Sequence, residues 1–168
     1  EAGKWKIKVP VKSSCTKVDF VVVLDPSGSD WIKDGGDHSI AFPQEQNVVC
    51  ASMKKGEEPV LSAPYNKGYE VLPKENKIAF YYRDDNALIE DRLSDMKVSV
   101  DIDGKEYPMT YNAENKRFEY NYNELKSGRT LYRYKVGEEY ILDKYNDKKE
   151  NDYSYIEYYK PVSYTHLR

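Results

Sequence analysis

Strict two-residue alternation constrains this chain more than any other feature. Met96, Val98, Val100 and Ile102 fall on one side of an extended backbone, and Lys97, Ser99, Asp101 and Asp103 on the other. Successive side chains of a strand point to opposite faces, so the pattern predicts a half-buried strand with a wet outer side. Asp103-Gly104 follows at once. That pair is the strongest short hairpin signal in the chain, because a type I′ turn needs positive φ at both central residues. Tyr107, Met109 and Tyr111 resume the alternation. Pro108 among them marks an edge strand, since proline has no N–H to give to a neighbour. Phe118, Tyr120 and Tyr122 make one face of the next strand, and Thr130–Val136 with Glu139–Leu142 reads as a hairpin around Gly137. Strands at this spacing, joined by polar turns, predict a β-sandwich. Helix is expected only as a turn or two near Ala87–Leu93, with a single turn conceivable at Asn123–Lys126.

The first third has its own pattern. Trp5, Ile7, Val9 and Val11 alternate with lysines and read as another half-buried strand. Val18 to Leu24 is more uniformly apolar and rich in valine, as a central strand would be. Asp25 to Asp30 is a turn cluster, Trp31 to Asp37 a loop, and Ser39–Phe42 and Asn47–Met53 are short strand candidates. Between Lys54 and Pro73 come Gly56, Pro59, Pro64, Gly68 and Pro73, a run of breakers that suits a junction. The expected architecture is all-β, with two small Ig-like β-sandwich modules of which the first is incomplete. Residues 1–55 form the first module, 56–76 the junction and 77–146 the second module. Residues 147–161 are a linker or an orphan strand whose partner lies elsewhere. Residues 162–168 fit no pattern and resemble translated adapter read-through.

Composition narrows the class. Charged residues make up 33%, which by itself leans toward disorder, but 17 tyrosines oppose that reading. Tyrosine pairs a large apolar body with a polar tip, which suits strands covered on one face. The net charge is −3, with both signs interspersed. No basic stripe capable of displacing counterions is present, so no nucleic acid partner is expected. The longest apolar run, Phe20 to Leu24, is far short of the ~20 residues of a spanning helix, so no membrane partner is expected. The chain opens on Glu1 without an initiator Met or signal peptide, as a portion of a longer chain would.

Reactive constellations are scarce. Cys15 and Cys50 make no disulfide framework, and either pair or serve as small buried hydrophobes. His38 and His166 lack the clustered partners of a zinc site. Asp25, Ser27, Ser29, Asp30, Asp34 and Asp37 offer oxygens for calcium but miss the EF-hand pattern at its sixth and twelfth positions. Asp84-Asp85 and Glu90-Asp91 are adjacent pairs whose side chains would point apart on a strand, unlike paired glycosidase carboxylates. No catalytic residue, metal or cofactor is therefore called. Trp31, Lys33, Asp34 and Asp37 have the residue types of a glycan contact, in which an aromatic ring stacks on a sugar and polar groups meet its hydroxyls. The competing role for Trp31 is a lid over the end of the sandwich.

Three segments carry a resemblance to a known family: Gly3 to Pro10, Val18 to Val22, and Asp30 to Asp37. Together they resemble the C-terminal half of the pullulanase-associated starch-binding module, carbohydrate-binding module family 41. That family ends in a lysine-valine-proline strand, a second apolar strand and a tryptophan-lysine-aspartate-glycine-aspartate loop. The resemblance implies that Lys33 and Asp37 bond α-glucan hydroxyls. It also implies that the main stacking tryptophans belong to an earlier strand, so that the loop is half of a site. From Phe80 to Asp85, Lys116 to Tyr120, Tyr132 to Tyr134 and Leu142 to Asn146 the chain resembles the sandwich that follows such modules in type I pullulanases of glycoside hydrolase family 13. There the aspartate-x-tyrosine-asparagine segment leads toward a catalytic barrel.

The expected function is a non-catalytic piece of a secreted or cell-surface starch-degrading enzyme, binding α-glucan (starch, pullulan or glycogen) and acting as a spacer. Its partners would be that polysaccharide and the rest of the parent enzyme. The site residues would be Lys33, Asp37 and Trp31. The alternative is a structural Ig-like domain of an adhesion protein that binds no glycan, with a small independent hydrolase as a third possibility.

Overall fold

The structure is a computed structural model that describes residues 5–23, 36–43 and 45–162. Among the described residues it is all-β apart from one short helix and two 3₁₀ turns. The chain divides into two compact units, Glu1–Pro64 and Tyr65–Arg168.

Among its described residues the first unit holds two short antiparallel ladders. Strand β1 (Lys17–Phe20) pairs with β2 (His38–Ala41), Phe20 opposite His38, and β3 (Ala51–Ser52) pairs with β4 (Val60–Leu61). Within the first ladder His38 is buried, with Nδ1 3.3 Å from Glu58 Oε2 and its ring against Phe20. Two expectations are corrected here. Residues 5–12 join no ladder among the described residues, and Trp5, Ile7 and Val9 are exposed rather than half-buried. Alternation encodes which side of a strand is apolar, but a strand forms only where an edge lies alongside to take its backbone hydrogen bonds. The central strand expected at Val18–Leu24 is not seen among the described residues of that segment, 18–23, either. β1 ends at Phe20, pairs only with β2 among the described residues, and leaves Val21 exposed. Cys15 and Cys50 form no disulfide with each other.

The second unit is a two-sheet sandwich. One sheet contains β5 (Tyr69–Leu72), β6 (Lys77–Tyr82), β9 (Thr110–Asn112) and β10 (Arg117–Tyr122), in the order β5-β6-β10-β9. The other contains β7 (Val98–Ile102), β8 (Lys105–Pro108), β11 (Gly128–Val136), β13 (Lys149–Glu150) and β14 (Tyr153–Tyr158), in the order β13-β14-β11-β7-β8. A sixth strand, β12 (Glu139–Ile141), also pairs with β11. With β5 to β11 and β14 lettered A, B, C, C′, D, E, F and G, the sheets read A-B-E-D and G-F-C-C′, the immunoglobulin-type order.

Local chemistry accounts for the elements. Asp103 and Gly104 have φ of 51° and 91°, which closes the β7–β8 hairpin as a type I′ turn. Pro108 sits on β8, at the sheet edge. The helix α1 (Asp85–Ile89) starts where Asp84 Oδ1 accepts from Ala87 N at 3.0 Å, and residues 123–126 stay irregular. The core is aromatic and lies between the sheets. Phe80 packs on Tyr132 at 5.1 Å between ring centroids, Tyr82 on Tyr134 at 5.0 Å, and Tyr107 on Tyr120 at 5.0 Å. Ile78, Val98, Val100, Ile102, Phe118 and Ile156 fill the spaces between these rings.

Buried tyrosines carry hydroxyls that must be satisfied. Tyr134 donates to Gly68 O at 2.7 Å, and Tyr132 donates to Asp143 Oδ2 at 2.6 Å. Asn146 Nδ2 donates to Tyr132 Oη at 3.0 Å and to Tyr155 O at 2.9 Å. Asp143 also accepts from Tyr145 N, and its own N–H donates to Ser154 Oγ. Desolvation first, and the Asp143 charge second, push the Tyr132 and Tyr134 hydroxyls far above their usual range, so both stay protonated donors. Asp143 and Asn146 of the Asp143-Lys144-Tyr145-Asn146 segment are thus buried in the sandwich, while Lys144 stays exposed. Beyond it, β14 pairs with β11 from Gly128↔Tyr158 to Tyr132↔Ser154. The strand read as an orphan finds its partner within the same unit. β5 likewise falls inside the stretch of breakers and pairs with β6.

Candidate functional site

Of the residues expected to contact glycan, Trp31 and Lys33 lie outside the described residues. Asp37 is exposed immediately before β2. Most of the oxygen set weighed for calcium, Asp25, Ser27, Ser29, Asp30 and Asp34, also falls outside. Among the described residues no group of three or more His, Cys, Asp or Glu side chains is placed to hold a metal.

A different cluster stands out on the outer face of the six-stranded sheet. Along β11, Thr130, Tyr132 and Tyr134 turn into the core, which leaves Arg129, Leu131, Arg133 and Lys135 on the outside. Arg133 is the hub. Its guanidinium carbon lies 3.7 Å from the Tyr140 ring centroid and 4.2 Å from that of Tyr153. Its Nε donates to Asp101 Oδ2 at 3.0 Å. The same carboxylate takes the Tyr153 hydroxyl at 2.9 Å and the Gly104 N–H at 2.9 Å, so a residue read from sequence as solvent-facing is buried.

Tyr140 forms the top of the cluster. It belongs to β12, yet its hydroxyl donates to Glu106 Oε1 on β8 at 2.9 Å. β12 pairs with β11, β11 with β7 and β7 with β8, so the tyrosine side chain runs across the strands rather than standing upright. One ring face rests on Arg133, while 46% of the residue remains exposed. Lys135 Nζ reaches Glu106 Oε1 at 3.3 Å and closes the far side. The Tyr140 hydroxyl, then the Lys135 ammonium, hold the Glu106 carboxyl below its ordinary value of 4.5. The same bond raises the Tyr140 hydroxyl, so near neutral pH the donor keeps its proton and the acceptor its charge.

Arg133 supports the half-exposed Tyr140 ring and the Lys135 ammonium lies 5.7 Å from its centroid, so an aromatic surface with hydrogen-bonding groups around it is presented, the kind of surface on which the C–H face of a sugar ring stacks. Covering roughly 100 Å² of apolar surface contributes about 2–3 kcal/mol at most, and millimolar binding takes about 4 kcal/mol. Tyr140 therefore needs help, which Lys135 and Glu106 around it and Tyr153 beside it can supply, with Arg133 holding the ring in place. The sequence signal for this cluster was tyrosine at outward positions of strands whose other outward residues are charged. Sequence alone does not join these positions, because Tyr153 and Tyr155 read as a strand without a partner and Tyr140 as part of the Glu139–Leu142 arm of a hairpin. No protein-family model matches the chain, and no curated protein matches it either.

Proposed function

We propose that this chain is a non-catalytic α-glucan-binding and spacer portion of a secreted starch-degrading enzyme of the pullulanase type. The binding half of the reading is carried by the Tyr140 ring, laid over Arg133 and tethered to Glu106 on an open sheet face. The choice of α-glucan as ligand, the parent enzyme and its secretion come from the resemblance of Gly3 to Pro10, Val18 to Val22 and Asp30 to Asp37 to family 41 modules. Lys33 and Asp37 are the polar contacts this resemblance proposes, with Trp31 as platform or lid. The spacer half is supported by a sandwich whose β11–β14 pairing and buried Asp143 cluster make it a self-contained block.

Affinity electrophoresis in native gels containing amylopectin or pullulan tests the binding. The wild-type chain is expected to be retarded, with Tyr140→Ala weakening retention about tenfold, or ~1.4 kcal/mol, and Lys33→Ala weakening it less. Absence of retardation overturns the binding claim and favours a structural Ig-like domain that binds no glycan. Retardation unchanged by Tyr140→Ala removes the sheet face from the proposal.

A further inference from the structure

We infer that the sheet-face site does not end at Tyr140 and Arg133 but continues along β11 to a second aromatic station at Tyr155, so that it takes a chain of several sugar units. This rests on the α-glucan reading above. Arg129 repeats the Arg133 arrangement four residues earlier on the same outer face. Its guanidinium carbon is 4.2 Å from the Tyr155 ring centroid. Glu150 and Glu157 pair with it at 3.4 Å and 3.7 Å. Residues two apart on a strand advance by ~6.8 Å, so the two arginines are roughly 14 Å apart along β11, and Tyr153 and Tyr155 about half that along β14. Leu131 lies between the stations, opposite Tyr155 in the ladder, and gives the intervening floor an apolar patch.

The strip thus offers Tyr140, Tyr153 and Tyr155 in succession, each ring held by an arginine that is itself tied to carboxylates. A monosaccharide spans one ring and leaves the others bare. A linear oligosaccharide engages them together, and each added contact is intramolecular once the first is made. Fixing the rings in advance removes part of the ordering cost of binding.

Titration calorimetry with maltose, maltotriose, maltopentaose and maltoheptaose tests the inference. The expected result is a Kd that falls at least tenfold from the disaccharide to the heptasaccharide. In Tyr155→Ala and Arg129→Ala that gain should shrink, so that the loss grows with chain length; Tyr155→Phe should restore it. Thermal melting of each variant shows that the sandwich is intact. A Kd independent of length, or a Tyr155→Ala effect equal at every length, overturns the extended site while leaving the α-glucan reading standing. Binding of no oligosaccharide at any length overturns both.

Discussion

Gly68→Ala is expected to destabilise the sandwich by about 3 kcal/mol or more and to lower its melting temperature by roughly 10–20 °C. A Cβ at this position would lie 2.0 Å from Asp143 Oδ2 and 2.4 Å from Cγ. Neither side can yield. Asp143 is held by the Tyr132 hydroxyl and the Tyr145 N–H. Gly68 is held by its carbonyl, which accepts from the Tyr134 hydroxyl and from Tyr81 N. The substitution therefore either ejects a buried carboxylate from its donors or pulls β5 away from β6. A chemical melt of four proteins decides between this account and a generic glycine effect. Asp143→Ala is itself expected to be destabilising, but adding Gly68→Ala to it should cost far less than in the wild type, because the clash partner is gone. Additive losses would mean that the glycine matters for another reason.

Asp101→Ala is the second change expected to have a large effect, on both stability and binding. Asp101 Oδ1 accepts from Gly104 N, and Oδ2 from Arg133 Nε and the Tyr153 hydroxyl. Removing the carboxylate leaves Arg133, whose side chain is only 17% exposed, without its ionic partner. A charge-assisted hydrogen bond contributes about 1.5–3 kcal/mol, and the stranded group adds its own desolvation cost, so a loss of ~3 kcal/mol is expected. Arg133 also supports Tyr140 from below. Glucan retention should weaken about tenfold in the variant even at temperatures where it is fully folded. Asp101→Asn keeps an acceptor but not the charge and should fall between the two. Loss of stability with unchanged retention would separate the hub from the proposed site.

The sequence was informative wherever local chemistry decides the outcome. Asp103-Gly104 specifies a turn by its backbone needs, Pro108 an edge by its missing donor, and the alternation from Met96 to Ile102 a buried face. These features are all present in the sandwich. It was less informative wherever the outcome depends on residues far apart in the chain. Whether Tyr153–Tyr158 has a partner depends on β11, more than twenty residues earlier, and alternation cannot express that. Residues 5–12 show the converse, a faultless strand pattern that joins no ladder among the described residues. The burial of Asp101 has the same origin. Asp101 occupies an outward position, and only the arrival of Arg133 and Tyr153 from other strands covers it.

The candidate site follows this division. Its residues come from β7, β8, β11, β12 and β14, so no contiguous motif announces it. The Trp31–Asp37 loop, by contrast, is a contiguous motif, and its residues 31–35 lie outside the described residues. The Tyr140 ring takes its position because Glu106, two strands beyond β11, accepts from its hydroxyl, a pairing no local pattern expresses.

The central claim is that the outer face of the six-stranded sheet binds α-glucan. Its most direct test is a titration of the ¹⁵N-labelled chain with maltoheptaose, followed amide by amide by NMR. The account predicts shifts concentrated at Arg133, Lys135, Tyr140, Tyr153 and Asp101 and extending to Tyr155, with the outer face of the four-stranded sheet, at Tyr81 and Glu119, unmoved. An unchanged spectrum at saturating oligosaccharide, or shifts confined to Tyr81 and Glu119, would contradict it.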